Sequence, residues 1–319
     1  MSAQARQAQP PQEVVLFEWP VAAGGHWAAD GRAAPGDPLT RWILEKEPRG
    51  PSQEASPLDE SPTLFRIFGE LPIPMPEAAA LGFADQYGQL GLGEFFLPNG
   101  KKPARLGEAL ALWAEEAFDL RMGSDLLLAI SQEDTESLSR WIRPTDAGGL
   151  TFQREEGGRR CRLGMGPDHP LLRSLEAEAL DLPRAARFVA QMLANEKLER
   201  FTQTRLLYEA STDSQRLVVL PSNLLGAMWF QLARGLAGDV EFRACRQCET
   251  WFRVSPDTSR SDRVYCSGPC RYQASYQRRS RARRLRAEGA TIHSIATEMD
   301  VSLEEVRRWV KQTRRGKRR

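Results

Sequence analysis

Apolar residues recur at helical spacing in two segments of the chain, and these segments predict its most regular helices. Between residues 108 and 122 the apolar positions follow one another three and four residues apart, as in a helix that buries one face. These positions are Leu110, Trp113, Ala114, Ala117 and Phe118. A second helix, capped by Ser222, is predicted from the apolar positions Leu224, Leu225, Met228, Trp229, Leu232 and Leu236.

Shorter helices are predicted where a residue suited to a helix start precedes an apolar run. Asp181 and Pro183 form such a start, and they precede a predicted buried side. That side consists of Ala185, Phe188, Val189, Met192 and Leu193. The remaining predicted helices are a segment from Pro76 that ends at Gly88, a second helix that Ser124 caps and that runs through Ile130, and a short helix from Thr135 to Trp141.

Alternating and β-branched runs predict strands elsewhere in the first 240 residues. Short strands are expected at Val14 to Trp19 and at Leu64 to Phe68. Residues 22–62 are rich in Gly, Pro and Ser, so we expect long loops there, with packing confined to Trp42 to Leu44. Two hairpins are predicted, one from Leu150 to Gly164 around a Gly-Gly turn, the other joining residues 205–208 to residues 216–220.

These elements predict an α+β fold with four parts. Residues 1–13 form a disordered tail, and residues 14–240 form a mostly helical α/β body with short β-hairpins. A treble-clef-like zinc finger with four cysteines occupies residues 241–276, and a small all-α helix-turn-helix with a basic tail occupies residues 277–319.

Charge is distributed unevenly between these parts. Residues 241–319 carry 20 Lys and Arg against 9 Asp and Glu, whereas residues 1–240 carry 24 against 33. The near-neutral total of +2 therefore hides an acidic body and a basic end. Such an asymmetry predicts a polyanionic partner for the basic end.

The apolar stretches are too short or too interrupted for targeting or membrane insertion. The start of the sequence has no apolar core of the kind a signal peptide needs. The most apolar stretch, residues 217–236, contains Ser222, Gln231 and Arg234. We expect a soluble, cytoplasmic protein that has no membrane partner.

Cys161 stands apart from the four clustered cysteines and is expected to be an ordinary strand residue.

The cluster of four cysteines has the spacing of a structural metal site. Cys245 and Cys248 are separated by two residues, and Cys266 and Cys270 by three, with a seventeen-residue arm between the pairs. Four thiolates can close a tetrahedral shell around zinc and leave no position for water. The sequence therefore predicts a structural zinc cofactor, with the last ligand near the start of a basic helix whose dipole favours a thiolate.

The residues around these cysteines resemble a known family. FRACRQCETWF, then SRSDRVYCSGPCR and an Arg-rich helix, are similar to the CGNR-type zinc finger that closes the ABATE class of bacterial transcription regulators. The resemblance covers about thirty-five residues. It implies a metal role for Cys245, Cys248, Cys266 and Cys270 and a DNA partner. The tetrapeptide CGNR, which gives the finger its name, reads CRYQ here from Cys270 onward, so only the cysteine matches.

The segment RRLRAEGATIHSIATEMDVSLEEVRRWVKQ resembles a helix-turn-helix of resolvase-like DNA-binding proteins. Ile292, Ile295 and Ala296 are expected to face inward from the first helix. Ser302 and Glu305 have the spacing of a capping box for the second helix. Val306, Trp309 and Val310 are expected to return to the core.

The predicted nucleic-acid contacts are polar and basic side chains on the outer faces of these helices. The second helix of a helix-turn-helix enters the major groove, where its exposed side chains reach phosphates and bases. The candidates are Ser302, Arg307, Arg308, Lys311, Arg278, Arg279, Arg281, Arg283 and Arg284. The alternative is a basic helical hairpin that only packs on a partner or that attracts nucleic acid without sequence preference.

Catalytic motifs are not recognisable in the sequence. His26, His169 and His293 lie far apart and suggest no metal or nucleophile motif, and we assign no catalytic residue.

Taken together, the cysteine cluster, the basic helices and the family resemblance predict a zinc-containing DNA-binding protein. The expected function is that of a bacterial transcription regulator whose body senses a ligand or mediates homo-oligomer assembly. The alternatives are a nucleic-acid-processing enzyme of a mobile element and a zinc-stabilised adaptor that binds RNA or protein.

Overall fold

The chain forms two compact units, Met1–Asp239 and Val240–Arg319. The structure is a computed structural model that describes residues 17–34, 37–38, 40–46, 53–98, 105–146, 149–166, 169, 181–210, 213–254 and 262–311. Short antiparallel strand pairs are combined with helices, which confirms the predicted α+β class. Within the described ranges, no helix is both long enough and apolar enough to cross a membrane.

Helices supply most of the core of the first unit. They are α1 (Pro57–Glu60), α2 (Leu64–Gly69), α3 (Glu77–Tyr87), α4 (Leu110–Ser131), α5 (Thr135–Trp141), α6 (Leu182–Phe201) and α7 (Leu224–Ala237). Trp113 on α4 and Trp229 on α7 are fully buried. The apolar spacing that predicted both helices therefore marks the sides that they bury.

The ends of several helices agree with the sequence expectations, and two do not. Asp181 caps α6 by accepting from the main-chain N–H of Arg184, and α3 ends at Gly88 as predicted. The predicted second helix beginning at Ser124 is wrong. Ser124 lies inside the continuous helix α4, where its hydroxyl donates to the main-chain oxygen of Arg121.

The predicted cap of α7 also has to be corrected. Asn223, rather than Ser222, is the N-cap, and its side-chain oxygen accepts from the main-chain N–H of Gly226 at 2.7 Å. Asn223 also donates to the carbonyl of Gly91, so it joins the helix start to a distant loop. Asparagine and serine are comparable caps, and this second bond favours the asparagine.

The predicted loop region, residues 22–62, contains regular structure. Its strands and those that pair with them are β1 (Trp19–Val21), β2 (His26–Arg32), β3 (Thr40–Glu45), β4 (Gln53–Ala55), β5 (Glu94–Pro98) and β6 (Arg105–Ala109). Strands β2, β3, β6 and β5 close into a small barrel, and β1 pairs with β4. The loop prediction is wrong because the buried run Trp42 to Leu44 on β3 recruits β2 as its antiparallel partner.

Two further sequence expectations about the first unit need comment. The predicted strand at Leu64–Phe68 is instead the helix α2, in which Leu64, Phe65 and Phe68 lie on the buried side. The predicted strand from Val14 overlaps β1 at Trp19, and its residues before 17 lie outside the described part. The predicted tail at residues 1–13 also lies outside it.

Both predicted hairpins are confirmed. The first consists of β8 (Leu150–Glu156) and β9 (Arg159–Met165), turns at Gly157 and Gly158, and is joined by β7 (Ile142–Pro144). Both glycines have positive φ, which fits them to the tight turn. The second hairpin consists of β10 (Thr202–Glu209) and β11 (Ser214–Pro221), which pair along eight residues each.

Charged groups inside the first unit are bonded internally. The Lys197 ammonium lies 2.8 Å from a carboxylate oxygen of Glu116 and 2.8 Å from one of Asp119. The buried carboxylate of Glu108 accepts from Trp113 Nε1 and from three successive main-chain N–H groups at residues 90–92. These bonds compensate the loss of hydration that burial imposes.

The second unit contains β12 (Glu241–Ala244), β13 (Trp251–Val254), α8 (Gly268–Ala287), α9 (Ile292–Met299) and α10 (Leu303–Lys311). One helix, α8, extends across the boundary predicted at residue 276, so the four-cysteine segment and the helical segment share an element. The three helices enclose a small core of Ala282, Ile295, Ala296, Val306 and Trp309.

Candidate metal centre and basic helices

The first two cysteines are held by a hairpin turn. Strands β12 and β13 pair from Glu241↔Val254 to Ala244↔Trp251, so the chain between them must reverse within residues 245–250. The reversal is closed by bonds from Cys245 N to Thr250 O and from Glu249 N to Cys245 O. This turn brings the sulfur atoms of Cys245 and Cys248 close to each other.

The other two cysteines lie at the start of α8. Ser267 is the N-cap, and its hydroxyl accepts from the main-chain N–H of Cys270 at 3.4 Å. Cys270 therefore lies in the first turn of the helix, where the dipole favours a thiolate. A hairpin with two cysteines followed by a ligand-bearing helix is the treble-clef-like order that the sequence predicted.

The four sulfur atoms converge on one point. All four Sγ atoms lie within 4.8 Å of one another. The three distances among Cys248, Cys266 and Cys270 are 3.5 to 3.6 Å. A tetrahedral site with metal–sulfur bonds of about 2.3 Å has sulfur–sulfur edges of about 3.8 Å. The four cysteines can therefore hold a metal ion with little rearrangement.

Hydrogen bonds and burial act in opposite directions on these thiols. Burial alone raises the pKa of Cys245, but main-chain donors at residues 247, 248 and 266 outweigh it and lower this pKa to about 6. Bonds from Thr250 lower the pKa of Cys248. Burial raises the pKa of Cys266 to about 12. Since neighbouring thiolates repel one another, a cation among them is what allows all four to ionise.

Aromatic residues and an arginine cover the cysteine cluster. Cys245 packs with Phe252 and Val254, and Tyr265 lies against this group. The guanidinium of Arg263 lies 5.0 Å from the centre of the Phe252 ring and donates to the main-chain oxygens of Tyr265 and Cys266. The bonds that Arg243 makes in the described part go to the Glu241 carboxylate and to the main-chain oxygen of Arg263, not to a cysteine sulfur.

No family model, curated protein or solved structure matches the chain. The geometry of the site and the chemistry of its residues therefore carry the functional argument.

The helices after the metal centre have the predicted helix-turn-helix order. Asp300, in a left-handed conformation, ends α9, and Val301 N donates back to Ala296 O. Ser302 Oγ accepts from Glu305 N at 3.2 Å, while the Glu305 carboxylate receives Ser302 N at 3.4 Å. This reciprocal pair is the capping box expected from the sequence.

The predicted nucleic-acid residues fall into two groups. Arg279, Arg307, Arg308 and Lys311 are exposed, and within the described residues their side chains have no bonded partner. The other predicted residues are engaged: Ser302 with Glu305, Arg278 with the Tyr265 hydroxyl, Arg281 with Glu298, Arg283 with Trp309 O and Arg284 with Glu288.

Several residues important to the site were not singled out from the sequence. Ser267 starts the helix that carries Cys270, and Thr250 donates to Cys248. Ser267, three residues before Cys270 and directly followed by Gly268 and Pro269, is the available sequence signal for the helix start. The role of Tyr265 as a bridge to Arg278 depends on tertiary contact and has no local signal.

The isolated residues of the first unit lie outside this site. Cys161 is a half-buried free cysteine on β9, as expected, and burial raises its pKa to about 11. His26 is buried on β2, where its main-chain N–H donates to Asp85 and its ring Nδ1 lies 3.1 Å from the same carboxylate. The loop position expected for His26 is therefore wrong.

Proposed function

We propose that the chain is a zinc-containing protein that binds duplex DNA and regulates transcription. In this proposal the Val240–Arg319 unit binds DNA, as the resemblance to the CGNR-type finger implies, and the first unit senses a ligand or mediates assembly. The observation that carries it is the exposure of Arg307, Arg308 and Lys311 along α10, each without an internal acceptor in the described part of the chain.

Unpaired cations on this helix are suited to phosphate. α10 is the second helix of the helix-turn-helix order, the position that enters the major groove. Arg279 adds a fourth such cation from α8. Ser302 is a weaker candidate than its position suggests, because its hydroxyl serves the capping box with Glu305.

Zinc is the metal that we propose for the four cysteines. A shell made entirely of thiolates selects soft or borderline ions over magnesium or calcium, and zinc has no redox chemistry that would disturb a structural site. The residues present fit such an ion, since three of the sulfur–sulfur separations are already within 0.3 Å of the tetrahedral value of about 3.8 Å. Bound there, zinc would cross-link the hairpin turn to α8.

The decisive experiment measures duplex DNA binding by fluorescence anisotropy across a salt series. Neutralising about five phosphates predicts a log–log slope of roughly −4 to −5. The combined variant R307A/R308A/K311A is expected to reduce the magnitude of that slope by about 2 to 3. The matched control R143A/R162A/R187A removes three exposed arginines of the first unit whose side chains likewise have no bonded partner among the described residues, and it is expected to leave the slope unchanged.

Other outcomes would favour the other functions. Absence of duplex binding at low salt, or an α10 variant with the wild-type slope, would refute the DNA-binding proposal. Binding confined to single strands would favour an RNA-binding adaptor, and metal-dependent cleavage of labelled DNA would favour an enzyme. Selection from random duplexes that enriches no sequence would contradict regulation at defined operators.

A further inference from the structure

The hairpin β10–β11 carries apolar side chains on both of its faces. Side chains alternate across a strand, so one face of β10–β11 holds Leu207, Val218 and Leu220, of which Val218 is buried. The opposite face holds the pairs Leu206↔Leu217, Thr204↔Val219 and Tyr208↔Gln215.

The face of the hairpin β10–β11 that carries Leu206 and Leu217, here called the outer face, exposes large apolar side chains to solvent. The exposed fractions are 60% for Leu206, 62% for Tyr208, 72% for Leu217 and 40% for Val219. With side-chain areas of about 150 to 250 Å², these four residues leave roughly 400 Å² of contiguous apolar surface in water. A patch of this size matches the largest apolar patch on a typical monomeric protein, and such patches are often functional.

The face is also uncharged. None of its six positions carries an ionisable group apart from the Tyr208 hydroxyl, which donates to Asp213 at the turn. The surrounding first 240 residues carry 33 Asp and Glu against 24 Lys and Arg. Two copies of the protein can therefore meet at this face without the like-charge repulsion that an average part of the acidic surface would impose.

We propose that this face is the interface of a two-fold symmetric dimer of the chain, formed by apposition of the β10–β11 hairpins. The same patch on both copies makes an isologous contact, the commonest arrangement of soluble homodimers. Leu206 and Leu217 are paired at the centre of this face, and Thr204 and Gln215 belong to its polar rim. Two such patches bury roughly 800 Å² of apolar surface, and the polar rim has to add about 400 Å² to reach the lower limit of about 1,200 Å² for specific interfaces. Dimerisation with a dissociation constant of about micromolar magnitude is expected.

The test is analytical ultracentrifugation of the full chain at about 1 to 100 μM, the range in which such a dimer dissociates. Wild type is expected to shift from monomer to dimer across this range. L206E and L217E each place a charge opposite its symmetry mate and are expected to weaken association at least about 100-fold. The control Q203E adds the same charge to the other face of β10 and is expected to dimerise as wild type does.

A mixing experiment distinguishes a second copy from another partner. L206E and L206K alone are expected to be monomeric, whereas an equimolar mixture recovers a heterodimer because opposite charges then meet across the two-fold axis. Recovery in the mixture supports the two-fold interface.

A wild-type chain that stays monomeric throughout, or an L206E chain that dimerises as wild type does, overturns the proposal. Circular dichroism confirms that these exposed substitutions leave the fold intact. The result does not depend on DNA binding. Because the hairpin belongs to the first unit, L206E is expected to keep wild-type affinity for a short duplex that can be contacted by one copy.

Discussion

The Met1–Asp239 unit encloses large side chains such as Trp42, Trp113 and Trp229, whereas the helical core of the Val240–Arg319 unit is built on five buried residues, four of them small or β-branched. A second cluster around Cys245, Phe252 and Val254 adds little apolar area to the second unit. A unit of about 80 residues buries a smaller share of its surface than a large domain does, and burial alone leaves it only marginally stable. Under the zinc proposal the two units are stabilised by different means: the first by its core, the second by a metal cross-link at its cysteines.

Removal of the metal is expected to produce the largest difference in stability between the two units. Structural zinc in small fingers contributes about 10 to 16 kcal/mol of binding free energy. Strong chelation, or the substitution Cys270→Ser, is therefore expected to unfold residues 241–270 and to leave α4 and α7 protected. Hydrogen exchange read segment by segment measures this, together with a metal content of one ion per chain.

A free cysteine in the first unit supplies the control for this prediction. Cys161 lies on β9 and is not one of the four clustered cysteines, so Cys161→Ser is expected to keep both the metal content and the exchange pattern. Protection of residues 241–270 that survives strong chelation would refute the metal cross-link.

The second prediction concerns the buried ion pairs of the first unit. Burial, opposed by Lys197, raises the pKa of Glu116 and of Asp119. Lys197→Met leaves both carboxylates without their cation and is expected to cost about 3 to 5 kcal/mol near pH 8. The pKa of each carboxylate then rises further above its unfolded value, so the cost is absent below the unfolded pKa, grows as the pH rises from the unfolded to the folded pKa, and is fully present above the folded pKa.

Urea unfolding of this variant and of wild type at pH 5 and pH 8 checks the sign. The gap in unfolding free energy is expected to be smaller at pH 5, and the metal centre is expected to stay intact at pH 8. A gap that widened as the pH fell would contradict the assignment of the cost to unpaired carboxylates.

The smallest expected effect compares one helix cap in each unit. Ser302→Ala removes the capping box of α10 at a cost of about 1 kcal/mol, and Asp134→Ala removes the side-chain cap of α5. In the second unit this is a larger share of the total, so exchange along α10 is expected to accelerate more than exchange along α5. Equal acceleration would show that the second unit is not the less stable one.

Local patterns made the second unit more predictable than the first. The four cysteines lie within one short segment, and the capping box and the inward-facing residues of α9 and α10 follow helical spacing, so the sequence alone locates them. The run Leu64–Phe68 was read as a strand because a short apolar run fits either period. Its helical form depends on burial against other elements, which local sequence does not show.

The interior of the first unit depends on residues that are distant in the chain. Glu108 is bonded by the main chain at residues 90–92, and Lys197 meets Glu116 across 81 positions. Strand β2, with its small and polar residues, forms because β3 needs a partner. Which of the nine predicted nucleic-acid residues are free also follows from tertiary contacts, since the partners of Arg278, Arg281 and Arg283 lie 13 to 26 positions away.

The helix α8 fixes the orientation of the helical core about its own axis relative to the cysteine cluster. Cys270 lies in its first turn and Ala282 belongs to the helical core, so twelve residues of one continuous helix separate the metal centre from that core. Each residue advances an α-helix by about 100° and about 1.5 Å. The direction in which α10 presents its arginines relative to the four cysteines is therefore fixed by the number of residues in this span. One inserted residue would turn that direction by about 100°, whereas seven would nearly restore it and move it outward by about 10 Å.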